Sequence, residues 1–67
     1  MIEVTVNGRQ RELAEEVSLT SFLDSIEVDL RAVAVAHNGE VVPRDRCAEV
    51  RLRDGDSLEI VRMVGGG

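Results

Sequence analysis

The sequence predicts a small α+β fold in which one main helix packs on one face of a mixed sheet of four to five strands. Two Asn-Gly pairs, Asn7-Gly8 and Asn38-Gly39, each stand between strand-like segments, and this dipeptide is the strongest short signal for a β-hairpin. A single segment, residues 19–26, spaces its apolar residues as a helix does. The predicted order is two strands, a helix, two strands and a final strand, which suits an α+β layer.

The first hairpin is predicted from strict alternation. Residues 2–6 alternate apolar and polar side chains, which is typical of a half-buried strand. Asn7 and Gly8 both tolerate a positive φ, so the chain can reverse there. Residues 9–13 form the returning strand, with Leu13 expected to face the core.

The main helix is predicted from one apolar face and a capping residue. The face comprises residues at i, i+3, i+4 and i+7: Leu19, Phe22, Leu23 and Ile26. Ser18 can cap the helix by accepting a hydrogen bond from a backbone N–H. The expected helix of two to three turns is too short to be stable alone and must pack on the sheet.

The second half of the chain predicts three more strands. Residues 31–36 are apolar and β-branched at alternate positions, as in a buried strand, and residues 40–42 form a short strand ended by Pro43. Residues 44–50 are expected to be irregular, with one helical turn at most, and residues 57–64 form the last strand. The first and last strands are the most continuous, so we expect them in the sheet centre; if they pair in parallel, the crossover is right-handed.

Composition limits the kinds of partner. The 67 residues form one domain at most and carry a net charge of −5, and all eight basic residues are arginines. An acidic chain with Phe22 as its one aromatic residue is unsuited to nucleic acid and to anionic membranes. A protein partner with a basic docking surface is the better expectation.

Cys47 and His37 are the only cysteine and histidine. One cysteine cannot form an internal disulfide, and the pair is too few for a zinc site. The chain shows no apolar run of membrane-spanning length and no secretion signal, so we expect a cytoplasmic protein.

Three glycines, Gly65, Gly66 and Gly67, end the sequence. A frayed terminus or a cloning scar is one interpretation. The functional interpretation is a flexible tail, residues 65–67, that follows a domain of residues 1–64 and can thread a narrow channel because it has no Cβ atoms. It would present the α-carboxylate of Gly67, which adenylation by a partner enzyme and attack by sulfide or persulfide would convert to a thiocarboxylate.

The whole chain resembles the ThiS sulfur carriers of thiamin biosynthesis, within the ThiS/MoaD family. Residues 33–44, which read Val-Ala-Val-Ala-His-Asn-Gly-Glu-Val-Val-Pro-Arg, are the most distinctive stretch. The other matching segments are residues 6–8, 18–23, 54–56 and 66–67.

The resemblance implies a ubiquitin-like β-grasp fold and a protein that is not itself an enzyme. It implies that a ThiF-like enzyme adenylates Gly67 with Mg-ATP, while the carrier itself binds no cofactor. A sulfur donor such as a cysteine desulfurase would supply sulfur, and the thiazole synthase ThiG would accept it. Gly66 and Gly67 match the family's terminal pair, whereas Gly65 falls at a variable position, and Arg44 follows the family pattern without a role that we can assign.

Other functions remain open on the sequence alone. The small subunit of molybdopterin synthase, or a carrier for cysteine synthesis or tRNA thiolation, would use the same chemistry. A β-grasp interaction module or a ubiquitin-like tag would not. An independent enzyme is disfavoured because no acid–base or nucleophile constellation is present.

The residues before the tail form a candidate partner-binding patch: Val61, Met63 and Val64. Val61 and Met63 are expected on the sheet face opposite Leu58, where they either dock a partner or are covered by a loop. Arg62 between them should face inward, which predicts that the strand has left the sheet by that point.

Cys47 and His37 are both expected to have no catalytic role. Cys47 is expected to be a small buried apolar residue rather than a sulfur relay. His37 precedes a turn with no nucleophile to serve, so we expect it to be exposed and inert.

Overall fold

The computed structural model describes residues 1–63 of the chain. Within these residues it contains seven strands, one α-helix and two 3₁₀ helices. The strands are β1 (Ile2–Val6), β2 (Arg9–Leu13), β3 (Val17–Ser18), β4 (Val33–His37), β5 (Glu40–Val42), β6 (Arg51–Leu52) and β7 (Ser57–Arg62). The helices are α1 (Leu19–Ser25) and the two 3₁₀ segments Leu30–Ala32 and Arg44–Glu49.

Both Asn-Gly hairpins are present. Asn7 and Gly8 have φ values of 50° and 83°, and Asn38 and Gly39 have 51° and 88°. Positive φ at both central positions twists the turn in the sense that the flanking strands require. These turns join β1 to β2 and β4 to β5 as antiparallel pairs.

The larger sheet of the described residues has the order β2-β1-β7-β4-β5. β7 lies at its centre, parallel to β1 and antiparallel to β4. The expectation that the first and last strands lie side by side inside the sheet is therefore confirmed, as is the mixed five-stranded α+β arrangement.

The short helix α1 covers one face of this sheet with its apolar side chains. The Ser18 hydroxyl accepts a hydrogen bond from the Ser21 N–H (3.1 Å), as the predicted N-cap should. At the other end, the Val28 N–H donates to the Leu23 carbonyl (2.9 Å), which closes the helix through a residue with positive φ, Glu27 (59°). Glutamate is unusual at a position that glycine normally fills.

The core is aliphatic apart from one aromatic ring. Its buried members are Val4, Leu19, Phe22, Leu23, Val35, Cys47, Leu52 and Leu58. Ile26 and Leu13, which the patterns placed inward, pack against this core while partly buried. No helix within residues 1–63 combines the length and the apolar character needed to cross a membrane.

One part of the chain is more ordered than its sequence suggests. The segment expected to be irregular forms the 3₁₀ helix Arg44–Glu49, and the two residues after Val50 pair with β3 as a small second sheet. The Leu19 N–H donates to the Val50 carbonyl (2.8 Å), so this segment also satisfies a backbone donor of the first helical turn.

Candidate functional site at the end of the last strand

The last strand is hydrogen-bonded up to the edge of the described residues on its β4 side. On one side the Met63 N–H donates to the Ala32 carbonyl (2.9 Å), one step beyond the Arg62–Val33 register pair. On the other side β1 covers only the beginning of β7, through Ser57 and Leu58. The predicted functional residues that follow, Val64, Gly65, Gly66 and Gly67, lie outside the described residues, as does the predicted boundary between domain and tail.

Asn7 extends the support of β7 beyond the end of β1. Its side-chain oxygen accepts from the Ile60 N–H (2.7 Å) and its side-chain nitrogen donates to the Ile60 carbonyl (3.0 Å). β1 ends at Val6, opposite Leu58, so this amide takes the place of the next strand residue. Sequence reasoning assigned Asn7 to the turn alone, because nothing local in the sequence indicates a contact with residue 60.

The two described residues of the predicted partner patch are both exposed, Val61 by 59% and Met63 by 51%. Val61 is in register with Ala34 and has the opposite parity to the buried Leu58, so it lies on the sheet face away from the helix, as expected. Met63 follows the last residue of β7 and is among the residues that line a groove with Ile60 and Arg62. Their role in binding stays a prediction.

Arg62 corrects the expectation that the strand leaves the sheet before it. The residue is the last of β7 and pairs with Val33, yet its side chain is exposed. Both facts hold because α1 ends at Ser25 and the inward face beyond Ile60 opens into the groove, where Glu27 and Asp29 are among the lining residues. An arginine of inward parity therefore reaches solvent without desolvation.

Arg44 lies close to the same end of the sheet. It begins the second 3₁₀ helix, and its Nη2 donates to the carbonyl of Arg31 (3.4 Å). Arg31 directly precedes Ala32, the residue that accepts from Met63. Hydrogen bonding to the Arg31 side chain, with a smaller effect from the Arg44 charge, holds the pKa of Asp29 below its usual range.

His37 is not the exposed, inert residue that its position before a turn suggested. Its Nε2 donates to Asp56 Oδ2 (2.8 Å), and the two side chains are only 23% and 15% exposed. Burial alone would raise the pKa of Asp56. Hydrogen bonds from His37, from the Arg53 N–H and from Asn38 outweigh burial and hold that pKa below its usual range. This cluster lies at the end of β7 opposite Arg62, so it supports the fold rather than the terminus.

Cys47 behaves as expected, as a small buried apolar residue. Its side chain is fully buried, and burial, helped by the nearby Asp45 carboxylate, raises the pKa of its thiol. A protonated, inaccessible thiol is a poor nucleophile. Among residues 1–63, no three histidine, cysteine, aspartate or glutamate side chains are grouped to hold a metal ion.

Fold and site together define a class of protein: a β-grasp protein of the ubiquitin-like kind, whose central strand is followed in sequence, after two residues, by three glycines. Within that class, the sequence model of the ThiS family matches residues 4–67, which is nearly the whole chain. The chain belongs to the ThiS family, and it is a small sulfur carrier rather than a catalyst.

Individual relatives agree with this assignment. The sulfur carrier protein ThiS of Bacillus subtilis is 33% identical over 63 residues, covering 92% of this chain and 96% of that one. The crystal structure of thiamine biosynthesis protein ThiS from Geobacter metallireducens superimposes with a TM-score of 0.87 at 33% identity, covering 98% of this chain and all of that one.

A third relative is much longer. A thiazole synthase of Paramagnetospirillum magneticum is 39% identical over 66 residues, covering 98% of this chain. The chain spans only 20% of the length of that protein.

Proposed function

We propose that this protein carries sulfur on the carboxylate of Gly67 and delivers it for thiazole formation in thiamin biosynthesis. The observation that carries the proposal is the match of the ThiS family over residues 4–67, a range that includes the terminal glycines. The relatives named as ThiS or as a thiamine biosynthesis protein support the pathway.

The chemistry takes place at the terminal carboxylate and needs no side chain of the carrier. A carboxylate oxygen of Gly67 attacks the α-phosphorus of Mg-ATP on a ThiF-like enzyme, and pyrophosphate leaves. A sulfur nucleophile from a donor such as a cysteine desulfurase then attacks the acyl carbon, and AMP leaves. Hydrosulfide leaves a thiocarboxylate directly, whereas a desulfurase persulfide leaves an acyl disulfide, which a thiol then reduces to release the thiocarboxylate. The thiocarboxylate is a soft nucleophile at neutral pH.

A thiazole synthase of the ThiG type is the proposed sulfur acceptor. The support is the Paramagnetospirillum protein, which is named thiazole synthase and contains a segment 39% identical to this chain. A carrier-like segment inside a thiazole synthase is a natural arrangement if carrier and synthase must meet at each turnover.

The described structure suggests how the carrier presents its terminus. β7 is hydrogen-bonded to β4, and Asn7 bonds it at Ile60; the Met63 N–H also donates to Ala32, so the backbone is held as far as residue 63. A fixed base lowers the entropy lost when the terminus is positioned in a partner's active site. Gly66, which has no Cβ atom, would then pass through the narrow part of the partner's channel, and Gly65 would add length to the terminus.

Intact-mass measurement tests the carrier chemistry directly. Incubation with a ThiF-type enzyme, Mg-ATP and a sulfur donor should increase the mass by the difference between one sulfur and one oxygen atom. A chain lacking both Gly66 and Gly67 should show no increase under the same conditions. An unchanged mass of the full chain, with the enzyme active on another carrier, would refute the proposal.

The pathway and the patch need separate tests. Deletion of the gene should cause a thiamin requirement that added thiazole relieves.

Val61→Glu should weaken binding to the activating enzyme, whereas Val41→Glu is a matched control, since Val41 is 76% exposed but lies two strands away from β7. Equal effects of the two substitutions would argue against a patch at Val61.

A further inference from the structure

The end of β7 carries two arginines that come from different parts of the chain. Arg62 is the last residue of β7, and Arg44 begins the second 3₁₀ helix and donates to the carbonyl next to Ala32. Ala32 in turn accepts from the Met63 N–H. Arg62 lines the same groove as Met63, so these two arginines, here called the arginine pair, both lie near the last described residue.

Neither arginine of the pair forms an ion pair within residues 1–63. No carboxylate of residues 1–63 lies within 4.0 Å of either guanidinium, although the chain as a whole has a net charge of −5. The Arg44 charge contributes to the lowered pKa of Asp29, but this carboxylate is already hydrogen-bonded to Arg31 Nε at 3.2 Å. Glu27 lines the groove beside Arg62 but makes no ion pair with it.

Guanidinium groups of this kind suit carboxylates and phosphates, because their planar donors match both anions. The length of an extended terminus indicates which of these two anions the guanidinium groups could reach. Four residues separate Met63 from the carboxylate of Gly67, so an extended terminus spans roughly 13–14 Å. An arginine side chain is shorter than that span, so neither guanidinium could reach a phosphate held at the carboxylate of an extended terminus, whereas a carboxylate on the partner's surface would be within reach.

We propose that Arg44 and Arg62 bind acidic side chains at the mouth of the channel through which the activating enzyme admits the terminus. This inference rests on the proposed function and assigns a role to Arg44. It also changes the expectation drawn from net charge: most of the carrier suits a basic surface, but the base of the terminus requires an acidic one. Opposite signs on the two surfaces would fix the orientation in which the carrier docks.

Steady-state kinetics of ATP–pyrophosphate exchange by a ThiF-type enzyme test the proposal with four variants: Arg44→Glu, Arg62→Glu, Arg44→Lys and Arg53→Glu. Arg53 is the control, since it has the same charge and exposure but precedes the opposite end of β7. At low salt, Arg44→Glu and Arg62→Glu should each raise the KM for the carrier roughly tenfold and leave kcat unchanged, as expected for charges at a docking rim. The difference should shrink as ionic strength rises.

Arg44→Lys separates charge from hydrogen bonding to the Arg31 carbonyl. A KM clearly below that of Arg44→Glu supports the proposal, because lysine keeps the charge but loses the planar donors. A KM as high as that of Arg44→Glu overturns it in favour of a structural role. If the KM values of Arg44→Glu and Arg62→Glu equal that of Arg53→Glu, this proposal is also overturned. Normal exchange by the wild type in that case would leave the proposed function intact. A wild-type protein that supports no exchange would refute both.

Discussion

The amide of Asn7 should be the group that keeps the centre of β7 hydrogen-bonded, and removal of this amide tests that role. Asn7→Gly deletes both bonds to Ile60 while keeping a residue that tolerates the φ of 50°. Each bond contributes about 0.5–1.5 kcal/mol net, and the exposed setting favours the lower half of that range. We therefore expect a loss of about 1–2 kcal/mol in the free energy of unfolding.

That loss is large for so small a domain, because stability scales at about 0.05–0.15 kcal/mol per residue. Urea denaturation followed by far-UV circular dichroism measures the total change. Native-state hydrogen exchange shows where it acts: the Ile60 N–H should exchange about 5–30-fold faster, which corresponds to 1–2 kcal/mol of lost protection.

Asn38→Gly is the matched control. Asn38 occupies the same turn position, with a φ of 51°, but its side-chain oxygen accepts from the Ser57 N–H (2.8 Å) at the far end of β7. This variant should accelerate exchange at Ser57 and spare Ile60. Unchanged protection of Ile60 in Asn7→Gly, or the same pattern of exchange in both variants, would refute the assignment of Asn7 as a substitute strand residue.

Three further predictions concern the core and the acid limb of stability. Leu58→Ala, at a side chain only 1% exposed, should cost about 2–5 kcal/mol and lower the thermal midpoint measured by circular dichroism, whereas Leu58→Met should cost less than about 1.5 kcal/mol. Cys47, whose thiol pKa is raised by burial and by Asp45, should resist a maleimide reagent until urea unfolds the protein; rapid labelling of the native state would contradict its burial. The lowered pKa of Asp56 means that its carboxylate stabilises the fold above the unfolded value of 3.8, and that this contribution is lost as pH falls through the folded pKa. Asp56→Asn should therefore be less stable than the wild type at neutral pH and lose less stability on acidification, measured by urea denaturation between pH 7 and 3; His37→Gln should reduce the same acid dependence.

Local sequence signals were sufficient for the elements whose causes are local. The two Asn-Gly turns and the Ser18 cap depend on residues within a few positions of one another, and each is found where it was predicted. The pairing of the short strand Val17–Ser18 with Arg51–Leu52 depends on residues more than thirty positions apart, so nothing local indicates it.

The same distinction explains what could be inferred about the site. A run of terminal glycines is visible in the sequence, and a family resemblance gives it chemical meaning. The second role of Asn7, the His37–Asp56 contact and the position of Arg44 each join segments that lie far apart in the sequence. Arg62 was misjudged for a related reason, since strand parity says which way a side chain points but not where the covering helix ends.

The strand that precedes the terminus is also the central strand of the larger sheet. β7 pairs with both β1 and β4, and its Leu58 is buried in the core. A carrier whose chemistry occurs inside its partners needs a base that does not move when the terminus is engaged, because motion there would add to the entropy lost on binding. Placement of the functional strand in the sheet centre supplies that rigidity from packing and hydrogen bonds alone, without a disulfide or metal in the described part of the chain. It follows that substitutions at Leu58 should reduce carrier activity only in proportion to the unfolded fraction, whereas those at Arg44 or Arg62 should act on the folded protein. The ratio of activity to folded fraction, measured on the same samples, separates these two kinds of defect.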